Sequence, residues 1–179
     1  SEMCIRDSSQ ILEMMISSKK LFPSSCGICT SYIPKDLEIK DRLNSPFKIQ
    51  RKILFEAMKE FERKSTLFRT TGGNHSCGLY NKKEFEVFAE DVGRHNAVDK
   101  VLGECLLREI GTKNKLLLVS GRISWEILVK AMRASIPVLA SPSAPTNLAV
   151  LLARKLNITL VGFLRQKRTN IYTHPWRVS

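Results

Sequence analysis

The stretch Leu116-Leu117-Leu118-Val119-Ser120-Gly121-Arg122, followed by Trp125, Leu128, Val129 and Met132, decides the fold. Four consecutive apolar residues read as a strand buried on both faces. The turn at Ser120-Gly121-Arg122 then leads into residues spaced for one apolar face of a helix. The same unit recurs downstream: a short strand at 137–140, the loop Ser141-Pro142-Ser143-Ala144-Pro145-Thr146, a helix face of Leu148, Leu151, Leu152 and Leu156, and a strand at 158–164. Strands alternating with helices predict a sheet covered on both faces, an α/β sandwich. The basic loop Arg165-Gln166-Lys167-Arg168 and a last short strand at 170–172 follow.

Upstream, Ser45-Pro46 reads as the N-cap and first-turn proline of a helix with Ile53, Leu54, Ala57, Met58 and Phe61 on one face. Residues 67–71 read as a strand running into Gly72-Gly73, 75–80 as a second strand, and 85–89 as a third that ends at Asp91-Val92-Gly93. Ala97, Val98, Val101, Leu102, Cys105 and Leu106 share the face of another helix, with Gly111 as its stop. Residues 1–43 are irregular, broken by Pro23 and Pro34, and read as a mobile lead-in. Residues 44–179 read as the α/β domain. The chain opens at Ser1 without a methionine, which predicts a piece of a longer protein. Residues 1–8 resemble translated adapter sequence, so Cys4 carries no functional weight.

A net charge of +12 over 179 residues predicts an anionic partner. The basic residues are scattered, and no apolar run reaches the roughly 18 residues of a spanning helix, so a membrane is not expected. Aromatic residues are only 7%, and no continuous basic stripe is present, so nucleic acid is not expected either. Five cysteines, odd in number and unevenly spaced, do not make a secreted disulfide framework, which points to the cytoplasm.

In open α/β sheets ligands sit beyond the carboxyl ends of the strands. Gly72-Gly73, Ser120-Gly121-Arg122 and the 141–146 loop have that placement, and helix N-termini with hydroxyls there make phosphate seats. The densest polar cluster is Asp91-Val92-Gly93-Arg94-His95-Asn96-Ala97-Val98-Asp99-Lys100. Arg94 and His95 at a helix start suit an anion, whereas Asp91 and Asp99 would equally serve to pair with Arg94 or Lys100 and fix the junction.

Cys26-Gly27-Ile28-Cys29 places two thiols within reach of each other. Such a pair serves a zinc site, a thioredoxin-like exchange or a nucleophilic sulfur carrier, or has no chemical role. A zinc site needs a second ligand pair. Cys105 falls on an apolar helix face, and His75 with Cys77 makes one weak pair. A deaminase-type site would need Pro-Cys-x-x-Cys, which is missing. Thr30-Ser31-Tyr32 and Pro34 follow the cysteines where thioredoxins have a helix. A carrier, by contrast, wants an accessible cysteine with a second nearby to release or protect the outer sulfur.

Six motifs occur in order: Ser24-Ser25-Cys26-Gly27-Ile28-Cys29, Phe68-Arg69-Thr70-Thr71-Gly72-Gly73-Asn74-His75, residues 90–100 with Glu90-Asp91-Val92-Gly93-Arg94-His95-Asn96-Ala97, Ser120-Gly121-Arg122-Ile123-Ser124, Ser143-Ala144-Pro145-Thr146 and Leu160-Val161-Gly162-Phe163. Together they resemble the formate dehydrogenase accessory protein family, sulfur carriers for molybdenum cofactor, over residues 24–178. The resemblance implies a deaminase-like α/β/α sandwich with a mixed sheet, without the deaminase zinc site. It implies a sulfurtransferase that takes persulfide sulfur from a cysteine desulfurase and passes it to bis-molybdopterin guanine dinucleotide, for the catalytic subunit of formate dehydrogenase. Residues 44–179 would be the cofactor-binding domain, and a homodimer is implied.

By the same resemblance Cys26 is the persulfide cysteine and Cys29 its companion. Phe163, Leu164, Arg165, Gln166, Lys167 and Arg168 would contact the guanine nucleotide. Arg94, His95 and Arg122 complete the expected cofactor-binding set. The competing expectation is a non-catalytic guanine-nucleotide or cofactor-binding chaperone with an incidental CxxC. Two departures from the family's pattern stand out: Thr30 follows the second cysteine where glycine is usual, and little of the family's N-terminal strand region precedes Ser24.

Overall fold

The structure, a computed structural model, describes residues 42–166 and 168–179. Its strands are β1 (His75–Tyr80), β2 (Phe85–Asp91), β3 (Leu116–Val119), β4 (Val138–Ala140), β5 (Thr159–Arg165) and β6 (Arg168–Thr173). They form one sheet in the order β2-β1-β3-β4-β5-β6. The helices are α1 (Arg51–Lys64), α2 (Thr66–Thr71), α3 (Arg94–Leu107), α4 (Trp125–Arg133) and α5 (Asn147–Leu156), and a 3-10 turn spans Pro175–Arg177. The central β3, β4 and β5 are parallel because each is joined to the next through a crossover helix. β1, β2 and β6 join as antiparallel neighbours.

The apolar run in β3 is explained by its two faces. Leu117 and Val119 pack into the core shared with α3, α4 and α5, while Leu116 and Leu118 pack into the core under α1. Consecutive crossovers of one hand put α4 and α5 on the same face. The opposite face is left to α1, which buries Leu54, Ala57, Met58 and Phe61. The expected α/β/α sandwich with a mixed sheet is the observed one.

Four local expectations are corrected. The first helix begins at Arg51, not at Ser45-Pro46. Ile49 instead pairs in parallel with Val178 and accepts from Ser179 N at 3.1 Å, which holds the preceding backbone extended. Residues 67–71 are helix, not strand. Thr70 and Thr71 look like strand formers, but their hydroxyls bond back to Thr66 O at 2.9 Å and Leu67 O at 2.7 Å. Gly111 is not the stop of α3: Glu109 takes the left-handed position at φ 53°, with Ile110 N donating to Cys105 O at 2.8 Å. Ser120-Gly121-Arg122 does not open a helix. α4 starts only at Trp125, after a bridge between Ile123 and Pro145.

Candidate functional site at the strand-end edge

One edge of the sheet gathers the polar loops. β3, β4 and β5 point their carboxyl ends to it. β1 runs the other way, with Cys77 opposite Val119, so His75 begins at that edge. His75 pairs with Asp91, which brings the end of β2 and the start of α3 alongside. Arg165 pairs with Arg168 there, closing the β5–β6 hairpin. Chain segments distant in sequence thus bring Arg94, His95, Arg122, Arg165 and Arg168 to one edge.

The loops are tied to one another by hydroxyls. Ser141 Oγ is buried, donates to Gly121 O at 2.7 Å and accepts from Ser143 N at 3.0 Å. Ser143 Oγ donates to Ser120 O at 3.2 Å. The β5 end is fixed to the same loop: Phe163 N and Leu164 N donate to Ser143 O at 3.2 Å and Ser141 O at 3.0 Å, and Arg165 Nε donates to Pro142 O at 2.9 Å. Thr146 caps α5 by accepting from Ala149 N at 3.3 Å, as its place after the loop predicts.

His75 lies against Gly121. A Cβ at position 121 would sit 3.2 Å from two ring atoms of His75 and 3.4 Å from Arg94 Cβ, so the missing side chain is what lets the ring approach. Ser120 Oγ accepts from Ser76 N at 2.9 Å and meets His75 Nδ1 at 3.2 Å. The Ser120 hydroxyl thus ties the start of β1 and the His75 ring to the end of β3. His95 Nε2 meets Ser124 Oγ at 3.3 Å. Ser124 occupies the N-cap of α4 in extended backbone, yet its side chain serves His95 and not the helix.

Burial, and then the Arg94 charge, hold both imidazoles below their ordinary value of 6.5, so they are neutral donors or acceptors near pH 7. The acidic groups of the edge are already engaged. Lys100 Nζ meets Asp91 at 2.6 Å. With help from Gly93 N–H it holds that carboxyl down to about 2. Asp99 pairs with Lys130 at 2.6 Å. Asp91 and Lys100 therefore fix the junction, the structural alternative for this pair, whereas Asp99 takes neither Arg94 nor Lys100 but reaches Lys130 on α4.

Of the expected cofactor-binding residues, Arg94 and His95 are half-buried, and Arg122, Arg165, Gln166 and Arg168 are exposed. Phe163 is 38% exposed at φ 52°. Leu164 is the correction: its side chain is fully buried in the core under α1, so only its neighbours are available to a ligand. The alternation along β5 turns Phe163 out and Leu164 in. Cys26, Cys29 and Lys167 lie outside the described residues. Glu90, Ser124 and Ser143 stood inside quoted motifs, and Ser143 in an expected phosphate-seat loop, but none was given a site role of its own; their partners come from other segments, which local sequence does not show.

The edge is open. Two clefts, of about 510 and 480 Å³, lie elsewhere: between β2 and α3, and between residues 42–46 and the segments around Asn114 and Arg133. Among the described residues no group of three or more His, Cys, Asp or Glu side chains is placed to hold a metal ion, and no helix is long and apolar enough to cross a membrane.

Comparison with known proteins places this architecture. The family model described as the FdhD/NarQ family matches residues 3–179. The chain is 43% identical over 163 residues to the sulfur carrier protein FdhD of Staphylococcus haemolyticus, covering 90% of this chain and 62% of that protein. Its likeness to the sulfur carrier protein FdhD of Saccharolobus solfataricus is also 43%, over 157 residues, 87% of this chain and 60% of that protein. The chain thus spans about three fifths of the length of these curated relatives. The crystal structure of a putative formate dehydrogenase accessory protein from Desulfotalea psychrophila is 34% identical and superposes with a TM-score of 0.71, covering 75% of this chain and 61% of that one. The chain belongs to the FdhD/NarQ family.

Proposed function

We propose that this chain carries sulfur from a cysteine desulfurase to bis-molybdopterin guanine dinucleotide destined for formate dehydrogenase, with Cys26 as the carrier. The observation that carries the cofactor half of this reading is the strand-end edge. Four arginines from three segments meet there beside two neutral imidazoles, while Asp91 and Asp99 of the same edge are engaged with lysines. A large ligand with pyrophosphates suits such a seat, because guanidinium groups bind phosphate oxygens in pairs. The relatives named as sulfur carriers, together with the CxxC, support the other half.

The chemistry balances as follows. The Cys26 thiolate attacks the outer sulfur of the donor's persulfide. The donor's S–S bond breaks, its thiolate leaves, and Cys26 then holds –S–SH. For delivery the Cys29 thiolate attacks the inner sulfur, forming a Cys26–Cys29 disulfide and releasing the outer sulfur as hydrosulfide with both electrons of the broken bond. The molybdenum centre of the substrate takes that sulfur in exchange for an oxygen ligand, which leaves as water after taking up one further proton. An external dithiol reduces the disulfide for the next round.

Incubation with a cysteine desulfurase and cysteine, followed by intact mass measurement, tests the carrier. A gain of one sulfur atom that disappears in Cys26→Ala is expected. No Cys26-dependent gain refutes the carrier role. Formate dehydrogenase activation by the Cys26→Ala, Cys29→Ala variant would favour the chaperone reading instead.

A further inference from the structure

α2 is held by something other than the core. None of its six residues is buried, and two large apolar side chains stand in solvent: Leu67 is 49% exposed and Phe68 48%. Its anchor is the carboxylate of Glu90, which accepts from Leu67 N at 3.1 Å, Phe68 N at 3.2 Å and Thr66 Oγ1 at 3.3 Å. Ser76 Oγ donates to the same carboxylate at 3.2 Å. An anion against the first turn also complements the helix dipole. At the other end Gly72 takes the left-handed conformation at φ 67°, with nothing within 4 Å of where a Cβ would be, and Gly73-Asn74 leads straight into His75.

Both anchors of this segment belong to the strand-end edge. Glu90 stands opposite Ser76 in the β1–β2 ladder, next to the His75–Asp91 pair. Six helical residues are about 9 Å long, so Phe68 and Arg69 remain within a helical turn or so of those anchors. Among the described residues nothing packs this exposed Leu-Phe pair and the arginine after it into the core. It has the composition of a surface that covers a flat ring and meets its phosphates.

We propose that residues 66–74 form a flap of the strand-end site, with Phe68 stacking on a heteroaromatic ring of the bound ligand and Arg69 meeting its phosphates. This deepens, and rests on, the reading of that edge as the seat of a phosphorylated heteroaromatic cofactor. Glu90 is the positioning residue. It touches no ligand and sets where α2 begins.

Guanosine diphosphate and inorganic pyrophosphate are the probes, titrated calorimetrically into the full chain and its variants. Phe68→Ala is expected to weaken guanosine diphosphate binding about tenfold, the scale of losing one aromatic platform, and to leave pyrophosphate binding unchanged. Arg69→Gln is expected to weaken both. Glu90→Gln is expected to speed tryptic cleavage after Arg69 in the free protein, and saturating guanosine diphosphate to slow that cleavage in the parent chain. Phe68 and Arg69 are exposed, so an unchanged melting temperature is expected for their variants. Parent-like nucleotide binding by both Phe68→Ala and Arg69→Gln would overturn the flap while leaving the site reading in place. A parent chain that binds neither probe would overturn the site reading and the flap with it.

Discussion

Two glycine-to-alanine substitutions should act in opposite directions, and the difference reports on how His75 is held. Gly121 is not a positive-φ position, so backbone strain plays no part and only space is at issue. Its Cβ would lie 3.2 Å from the His75 ring and 3.4 Å from Arg94 Cβ. The backbone cannot easily yield, because Gly121 O accepts the buried Ser141 hydroxyl at 2.7 Å. The ring must move instead, at the expense of its 3.2 Å contact with Ser120 Oγ. Crowding of this kind costs about 1–3 kcal/mol. Because His75 is half-buried and the restricted unfolded chain returns about 0.4–1 kcal/mol, a net loss of about 1 kcal/mol follows. Gly103, inside α3, has nothing within 4 Å of its Cβ position. Alanine there should gain about 0.5–1 kcal/mol, the usual helix-interior difference. The two variants should differ in melting temperature by roughly 5 °C, and only Gly121→Ala should shift the His75 ring signals in NMR. Equal stability of the two variants, with unmoved His75 signals, would refute the packing of His75 on Gly121.

The adjacent residues Phe163 and Leu164 should separate binding from stability. Leu164→Ala empties a buried site and should cost about 2–5 kcal/mol in denaturant unfolding, whereas Phe163→Gly, at a positive φ and a partly exposed position, should leave stability nearly unchanged and weaken only nucleotide binding. The pH dependence has two parts. His75 and His95 hold their protons less tightly when folded, so the unfolded chain takes them up first and stability should fall as pH drops below 6.5. Asp91 is the reverse case: its contribution is complete above 3.8 and is lost as pH falls to about 2. Melting curves from pH 8 to pH 2 should therefore show an upper decline reduced by His95→Asn and a lower one reduced by Asp91→Asn. Unaltered profiles in both variants would contradict these assignments.

The layers of the fold were legible wherever burial leaves a pattern. A run of four apolar residues with both faces covered could only be a central strand, and the strand-helix alternation after it followed from the spacing of Leu128, Leu152 and their neighbours. Local exceptions had local causes. Residues 67–71 have strand-forming threonines, but helix there depends on the Glu90 carboxylate, 22 to 24 positions from the Phe68, Leu67 and Thr66 it holds. No local propensity carries such a signal. Glu109 stops α3 ahead of Gly111 because the backbone bonds to Cys105 and Leu106 close there, at a residue that sequence rules would not choose. The site was half legible. Arginines at strand ends stand out, but whether Asp91 opposes or supports them depends on Lys100, nearly two helical turns into α3.

On the proposed function, that dependence is how an exposed edge selects an anion. Had Asp91 and Asp99 faced Arg94 and Arg122, the arginines would have been neutralised within the protein. Lysines take those carboxylates instead, so on the proposed function the exposed guanidinium groups of Arg122, Arg165 and Arg168 meet the ligand, and the two imidazoles add hydrogen bonds without adding charge. An enclosed pocket would bury most of its ligand. On the proposed function that would work against hand-over, since a carrier must release what it has modified. Exposed arginines at an open edge bind through interactions that salt screens. Binding of the nucleotide probe should accordingly weaken steadily with ionic strength.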